Sequence, residues 1–307
     1  MARIARLWRN REFILCLAIA TGLIFGQGAV HTKPLVLPVL GIIMTVSIMG
    51  IRGASLRSPG GFVVPALAGP ALSYGLFGGL TLALGSVLIQ DPDLWAGFVI
   101  LAVIPPGVGI IPFTDMLKGN NTFSMIGSIA GYLAALVLTP LVTVAFLGAG
   151  VADPCRLLIV FVQLILAPFV LARLLVLAGL DRRIEPVKGA VTNWGFFLVI
   201  FTSIGLNRPV FLDAPLSLLP VAAIALTTTF LAGSLIEWTG KRAGIDAPTR
   251  ISLVLFGTMK NYGLAAGLAM TTLNDRAAIP PALVTLFSIL FLVVLMARQR
   301  ARGEARL

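Results

Sequence analysis

The chain has 307 residues, 58% of them hydrophobic and only 11% charged, against roughly 25% charged in an ordinary soluble domain, which excludes a soluble globular enzyme. A mean hydropathy of +1.01 leaves no polar exterior to write, so most helices are apolar all round, the mark of a bundle whose solvent is lipid. The formal net charge of +11 does not indicate a nucleic-acid binder, because the basic residues sit between long apolar runs and not in one patch.

In chain order, apolar stretches of about 20 residues bounded by charges or Gly/Pro breaks predict ten spans, at 12–30, 35–51, 62–88, 94–117, 122–148, 155–179, 189–207, 214–238, 248–272 and 278–297. The basic stretch Met1–Arg6 precedes the first as in a secretory signal, but no small-residue cleavage site follows, so the run stays as a span. His31 falls at a predicted loop and reads as a solvated polar residue. Cys16 and Cys155 lie in or beside apolar segments without metal-ligand spacing, and neither a disulfide nor a metal centre is expected. Ser124, Gly127, Ser128 and Gly131 repeat near three- and four-residue spacing, as close helix packing requires. Arg173 is expected to snorkel to the interface, and Glu237 beside Trp238 reads as interfacial.

Placing the N-terminus in the cytoplasm puts 17 basic residues inside (Arg3, Arg6, Arg9, Arg11, Arg52, Arg57, Lys118, Arg182, Arg183, Lys188, Lys241, Arg242, Arg250, Arg298, Arg300, Arg302 and Arg306) and four outside (Lys33, Arg156, Arg208 and Arg276). The positive-inside rule then makes both termini cytoplasmic, in a cell inner (plasma) membrane. Trp8, Trp95, Trp194 and Trp238 each fall near a predicted span end, the level that indole prefers.

Ten spans divide into two sets of five, and an odd set forces the second to run inverted, the plan of secondary transporters. The predicted fold is thus an all-α polytopic membrane protein of two inverted five-helix repeats, with discontinuous helices at the fourth and ninth spans. The fourth carries Ile104-Pro105-Pro106-Gly107-Val108-Gly109 near its middle, where tandem prolines remove donors and glycines permit an open turn. The ninth carries Gly257-Thr258-Met259-Lys260-Asn261-Tyr262-Gly263 in the equivalent place. Unwound backbone at bilayer depth must line a cavity or be buried in protein.

Lys260 stands about twelve residues into its span, roughly 18 Å deep at 1.5 Å per residue. An ionised lysine there costs on the order of 2.5–3.5 kcal/mol without a partner. Two compatible readings stand: a fixed structural cation held by unwound carbonyls and the C-terminal end of the preceding half-helix, or a group that titrates or meets an anionic substrate. Asp115, nine residues past the prolines, is placed near the cytoplasmic mouth, too far for a salt bridge to Lys260; a proton-carrying role is the alternative.

Leu40-Gly41-Ile42-Ile43-Met44, the Pro-Pro-Gly break followed by Lys118-Gly119-Asn120, and Met259-Lys260-Asn261-Tyr262-Gly263-Leu264-Ala265, in this order, resemble the bile acid sodium symporter family over essentially the whole chain. The resemblance implies a panel domain from spans 1, 2, 6 and 7 (about 12–51 and 155–207) and a core domain from the others (about 62–148 and 214–297). Crossing helices lie in that core, with substrate between core and panel. It also exposes a departure. Where sodium-coupled members resemble Pro-Gly-Gly-Thr-Ala-Ser-Asn, this chain has Ile110 and Ile111 for the Ser and Asn ligands. Where they place a Glu four residues before a Gln, it has Phe256 and Lys260. A hard cation needs several oxygen ligands, and these side chains supply none. Sodium is therefore not expected at either family site, and the Lys260 ammonium stands in for one ion.

Asn261 matches the family's asparagine beside the crossing, and the backbone at Val108 and Gly109 can still present amides to a carboxylate. The sequence thus points to a secondary transporter of a small organic anion, proton-coupled or uncoupled, working by alternating access. Its expected partners are that anion, the lipid bilayer and protons, with no nucleic acid and no cofactor. Substrate contacts are expected from Val108, Gly109, Thr258 and Asn261, and helix breaks at Pro105, Pro106, Gly107, Met259 and Gly263. A cation/proton antiporter of the same fold is the alternative, which needs an acid at the crossing. A non-transporting membrane enzyme or sensor is the remote one, since no His-Glu metal motif, Gly-x-Ser-x-Gly elbow or deep Asp pair is present.

Overall fold

The computed structural model describes residues 11–49, 61–148, 159 and 162–304. Arg3, Arg6, Trp8, Arg9, Arg52, Arg57, Cys155, Arg156 and Arg306 lie outside them. All regular structure among the described residues is helical: α1 (Arg11–Phe25), α2 (Val36–Met49), α3 (Val63–Leu88), α4 (Pro92–Val103), α5 (Ile110–Met116), α6 (Asn121–Leu147), α7 (Val162–Leu177), α8 (Asp181–Leu206), α9 (Pro215–Arg242), α10 (Ala247–Thr258), α11 (Tyr262–Thr272) and α12 (Ile279–Glu304). Large apolar residues such as Val87, Leu67, Val137 and Leu177 are exposed along these helices, as lipid-facing surface requires. The protein is an integral membrane protein.

Six helical runs among the described residues are long and apolar enough to cross a bilayer: Phe13–Ser47, Val63–Leu88, Asn121–Leu147, Asp181–Leu206, Pro215–Arg242 and Arg276–Gln299. This differs from ten expected spans. The fourth and ninth are cut into α4 with α5 and α10 with α11, each piece too short alone. Phe13–Ser47 reverses within itself. Gly22 abuts Ile204 and Gly26 abuts Gly205, whereas Gly195 abuts Val39 and Ile43, so α1 climbs along α8 and α2 descends along it. Gly26–Leu35 turns over the end of α8 in short helical turns. His31 is exposed as expected, but on a helical turn and not in a loop.

Around this pivot α1 and α2 pack on α8 and α7 packs on α2, while α3, α4, α6, α9, α10 and α12 pack on one another. α11 touches both groups. Gly127 of α6 meets Gly69 of α3 backbone to backbone, so the small-residue face does serve packing, and Ser124 adds hydrogen bonds to Thr114 and Ser252. α8 begins at Asp181, earlier than the predicted 189, which leaves Trp194 mid-helix.

Features recur between the two halves. α3 holds a π-helical stretch at Ala71–Gly78 and α9 one at Thr227–Leu231. The Asp91 carboxylate caps α4 and the Asp246 carboxylate caps α10. Asn120 caps α6 and donates to Thr249 at the start of α10; Asn274 accepts the Ala277 amide ahead of α12 and donates to Asp93 at the start of α4. The intervals match, 29 residues from Asp91 to Asn120 and 28 from Asp246 to Asn274.

Candidate functional site

The two interruptions meet. Pro106 and Lys260 face each other as an antiparallel pair. Gly107 N donates to Met259 O at 3.3 Å and Asn261 N to Pro105 O at 3.1 Å, so the unwound segments satisfy each other's backbone. The approach demands glycine: a Cβ on Gly107 would sit 2.9 Å from the Lys260 carbonyl oxygen. From behind, Gly131 of α6 presses on Pro106, where a Cβ would lie 2.5 Å from the ring.

Lys260 is 3% exposed. Its ammonium donates to Ala102 O at 3.0 Å and Ile104 O at 2.8 Å, and stands 4.2 Å from the Tyr74 ring centroid and 5.6 Å from that of Phe77. Those carbonyls end α4, the negative pole of that half-helix. The reading that the half-helix preceding Lys260 holds it is thus corrected. Pairing with Pro106 turns the side chain onto the other interrupted helix. The π-helical stretch of α3 supplies both rings, and Tyr74 anchors itself by donating to Gly131 O at 2.7 Å. Among the described residues no carboxylate pairs with Lys260.

A cleft runs along the crossing on the side facing α1 and α8. One lobe is lined by Leu15, Gly107, Gly109, Ile110, Phe113, Met259, Lys260, Tyr262, Thr285, Ser288, Ile289 and Leu292. The other shares Leu15, Gly107, Lys260, Tyr262 and Thr285 and adds Val108, Phe196, Ile200, Asn261 and Gly263. Ala102, Ile104, Tyr74 and Phe77 line neither lobe. The Lys260 ammonium therefore points into protein, and the cleft receives the rest of that residue.

Asn261 accepts the Leu264 amide, capping α11, and its Nδ2 lies 3.3 Å from Met44 Sδ of α2. With Leu264 so capped, the Tyr262 and Gly263 amides of the first turn have no intrahelical acceptor. Pro105, Pro106, Gly107, Val108, Gly109, Met259, Lys260, Asn261 and Gly263 are thus all at the crossing or its cleft. Thr258 differs: its hydroxyl donates to Val254 O and its methyl packs on Gly233, outside the cleft. Asp115 lies on the exposed end of α5 and accepts from Asn121. Arg173 stands over Phe169, and Glu237 pairs with Arg250. Sequence reasoning missed Tyr74, Phe77, Phe196, Thr285 and Ser288, and quoted Tyr262 in the ninth-span motif without a role. Thr285 and Ser288, three apart in an apolar run, gave the one usable signal, a hydroxyl pair on one helix face.

The profile of the SBF-like CPA transporter family matches residues 63–299, which include both interruptions. The chain belongs to that family. The family is one of membrane transporters. The chain is similar to a Bacillus subtilis protein named uncharacterized sodium-dependent transporter YocS, 24% identical over 71% of this chain and 65% of that one. It is also similar to the probable sodium/metabolite cotransporter BASS1, chloroplastic, of Oryza sativa subsp. japonica, 26% identical over 64% of this chain and 48% of that one. A third relative is sodium/bile acid cotransporter 7 of Danio rerio, 28% identical over 56% of this chain and 53% of that one. These relatives are named as transporters and not as enzymes. The matched regions span about half to two thirds of the length of these relatives.

Proposed function

We propose that the chain is a secondary transporter of a small organic anion, which binds in the cleft between the crossing and α1/α8 and passes by alternating access. The observation that carries this reading is the cleft itself: apolar walls from Leu15, Phe196 and Ile200 face unwound backbone, Asn261 and the first turn of α11. Backbone dipoles without a side-chain cation suit one carboxylate. The matched capping residues and π-helical stretches of the two halves support two inverted five-span repeats, with α1, α2, α7 and α8 forming the panel. The distribution of basic residues supports cytoplasmic termini.

Coupling follows the departures from the family pattern. Ile110 and Phe256 are fully buried apolar side chains where oxygen ligands are needed, and the Lys260 ammonium takes the carbonyls a cation would use. We read Lys260 as a fixed internal cation and transport as independent of the two family sodium sites, although the Bacillus, rice and zebrafish relatives carry sodium in their names. Antiport needs a carboxylate at the crossing, and Asp115 lies elsewhere.

A thermal-shift screen of carboxylates on the purified protein, in sodium or potassium and across pH, tests this. A carboxylate at about 100 times its dissociation constant adds about 2.7 kcal/mol of apparent stability. The expected result is a rise in Tm that is equal in both salts. A rise that requires sodium would overturn the lost-site reading, and sodium stabilisation without any carboxylate effect would favour antiport.

A further inference from the structure

One end of the cleft is shut by contacts that the transporter reading leaves without a role. Beyond Ile200 and Thr285, the Ser203 hydroxyl of α8 donates to Ala278 O at 3.1 Å. One turn further, Asn207 Nδ2 donates to Ser203 O at 2.8 Å and across the interface to Asp275 O at 2.7 Å. At the rim Lys33, from the turn between α1 and α2, pairs with Asp275 at 2.7 Å. The bonds to Ala278 and Asp275 and the Lys33 ion pair join the α1/α2/α8 group to the segment between α11 and α12, whereas the Asn207 bond to Ser203 O stays within one helix end. The neighbouring ion pairs of Arg276 with Asp91 and Asp93 stay within the other group and do not bridge the cleft.

We infer that Asn207 and Ser203, acting on the Asp275 and Ala278 carbonyls, are the latch that holds this mouth closed and must release for substrate to exchange there. The inference rests on the panel-and-core motion proposed above. Magnitudes separate the contacts. Lys33 and Asp275 are 41% and 35% exposed, and an ion pair so solvated contributes little. Asn207 is 3% exposed and Ser203 fully buried, so their bonds to Asp275 O and Ala278 O are shielded from water. Losing one such bond shifts a two-state equilibrium about three- to tenfold.

The test is side-resolved labelling of a reporter cysteine, Thr285→Cys, in a chain with Cys16→Ser and Cys155→Ser, using a membrane-impermeant maleimide in proteoliposomes. Asn207→Ala is expected to raise the labelling rate from the latch face about three- to tenfold, and Ser203→Ala, which removes one hydroxyl, to act in the same direction. Lys33→Ala should change it less than about twofold. Unchanged labelling in both Asn207→Ala and Ser203→Ala, with thermal stability intact, would overturn the latch, as would opening by Lys33→Ala alone. Labelling reads access and not transport, so a failed carboxylate screen leaves this outcome independently readable.

Discussion

Lys260 is held by partners of different worth. Two hydrogen bonds from a charged donor contribute roughly 1.5–3 kcal/mol each, and a desolvated cation over an aromatic face about 2 kcal/mol, against several kcal/mol for burying the charge. Lys260→Met keeps the stem but strands the Ala102 and Ile104 carbonyls, so it should lower stability by on the order of 1–3 kcal/mol, read as a drop in Tm. Tyr74→Phe loses only the bond to Gly131, whereas Tyr74→Leu loses the ring. A double-mutant cycle with Lys260→Met should therefore give coupling for the leucine variant and almost none for phenylalanine. Lys260→Ala empties a pocket shaped for an ammonium group, and methylammonium should raise the Tm of that variant without affecting the parent. The lysine was legible in the sequence because a charge at the middle of an apolar run has no bland surface reading, unlike Arg173 near the end of its span. Tyr74 and Phe77 were not, since an aromatic in a span looks the same whether it faces lipid, protein or a cation.

Elements were legible where hydropathy and helix coincide and misread where they part. Residues 181–188 carry Asp181, Arg182, Arg183, Glu185 and Lys188, so hydropathy places a boundary after them, yet the α8 hydrogen bonds continue through them. Hydropathy reports where lipid ends, not where a helix does. The interruptions were legible because Pro105, Pro106 and Gly107 cannot serve an unbroken helix. Their crossing was expected only from the family resemblance, and the pairing of Pro106 with Lys260 was not legible at all, since it joins residues more than 150 positions apart. Gly107→Ala pushes a methyl into the Lys260 carbonyl and should cost about 1–3 kcal/mol. Gly41→Ala in α2 has nothing within 4 Å and should be neutral or stabilising. At the start of α10 the Thr249 amide and hydroxyl hold the Asp246 carboxyl below its usual range. The stability it adds is present above the unfolded-chain value and lost as pH falls through the lowered folded one. Asp246→Ala should cost roughly 0.5–2 kcal/mol at neutral pH, while Asp246→Asn should retain most of the cap and lose the acid dependence. Thermal melts from pH 7 to pH 3 separate the two variants.

On the scale of the whole molecule, stability and access are carried by different asparagines. Asn120 and Asn274 sit at opposite ends of the crossing helices, and each ties the start of one long helix to the start of an interrupted helix from the other half. Both act inside the group formed by α4, α6, α10 and α12, which under the proposed motion moves as a unit. Asn207 bridges that group to α8. Removing a contact internal to a rigid unit lowers the stability of every conformation alike and leaves their ratio unchanged, because only differential interactions shift a population. Asn120→Ala and Asn274→Ala should therefore each lower stability by roughly 0.5–2 kcal/mol for a lost cap, read as a drop in Tm, with side-resolved labelling of the cleft unchanged. Asn207→Ala should show the reverse, a shift in labelling larger than its change in Tm implies. If Asn120→Ala or Asn274→Ala moved the labelling ratio as far as Asn207→Ala does, the two groups would not be rigid bodies, and alternating access here would require deformation of the crossing itself.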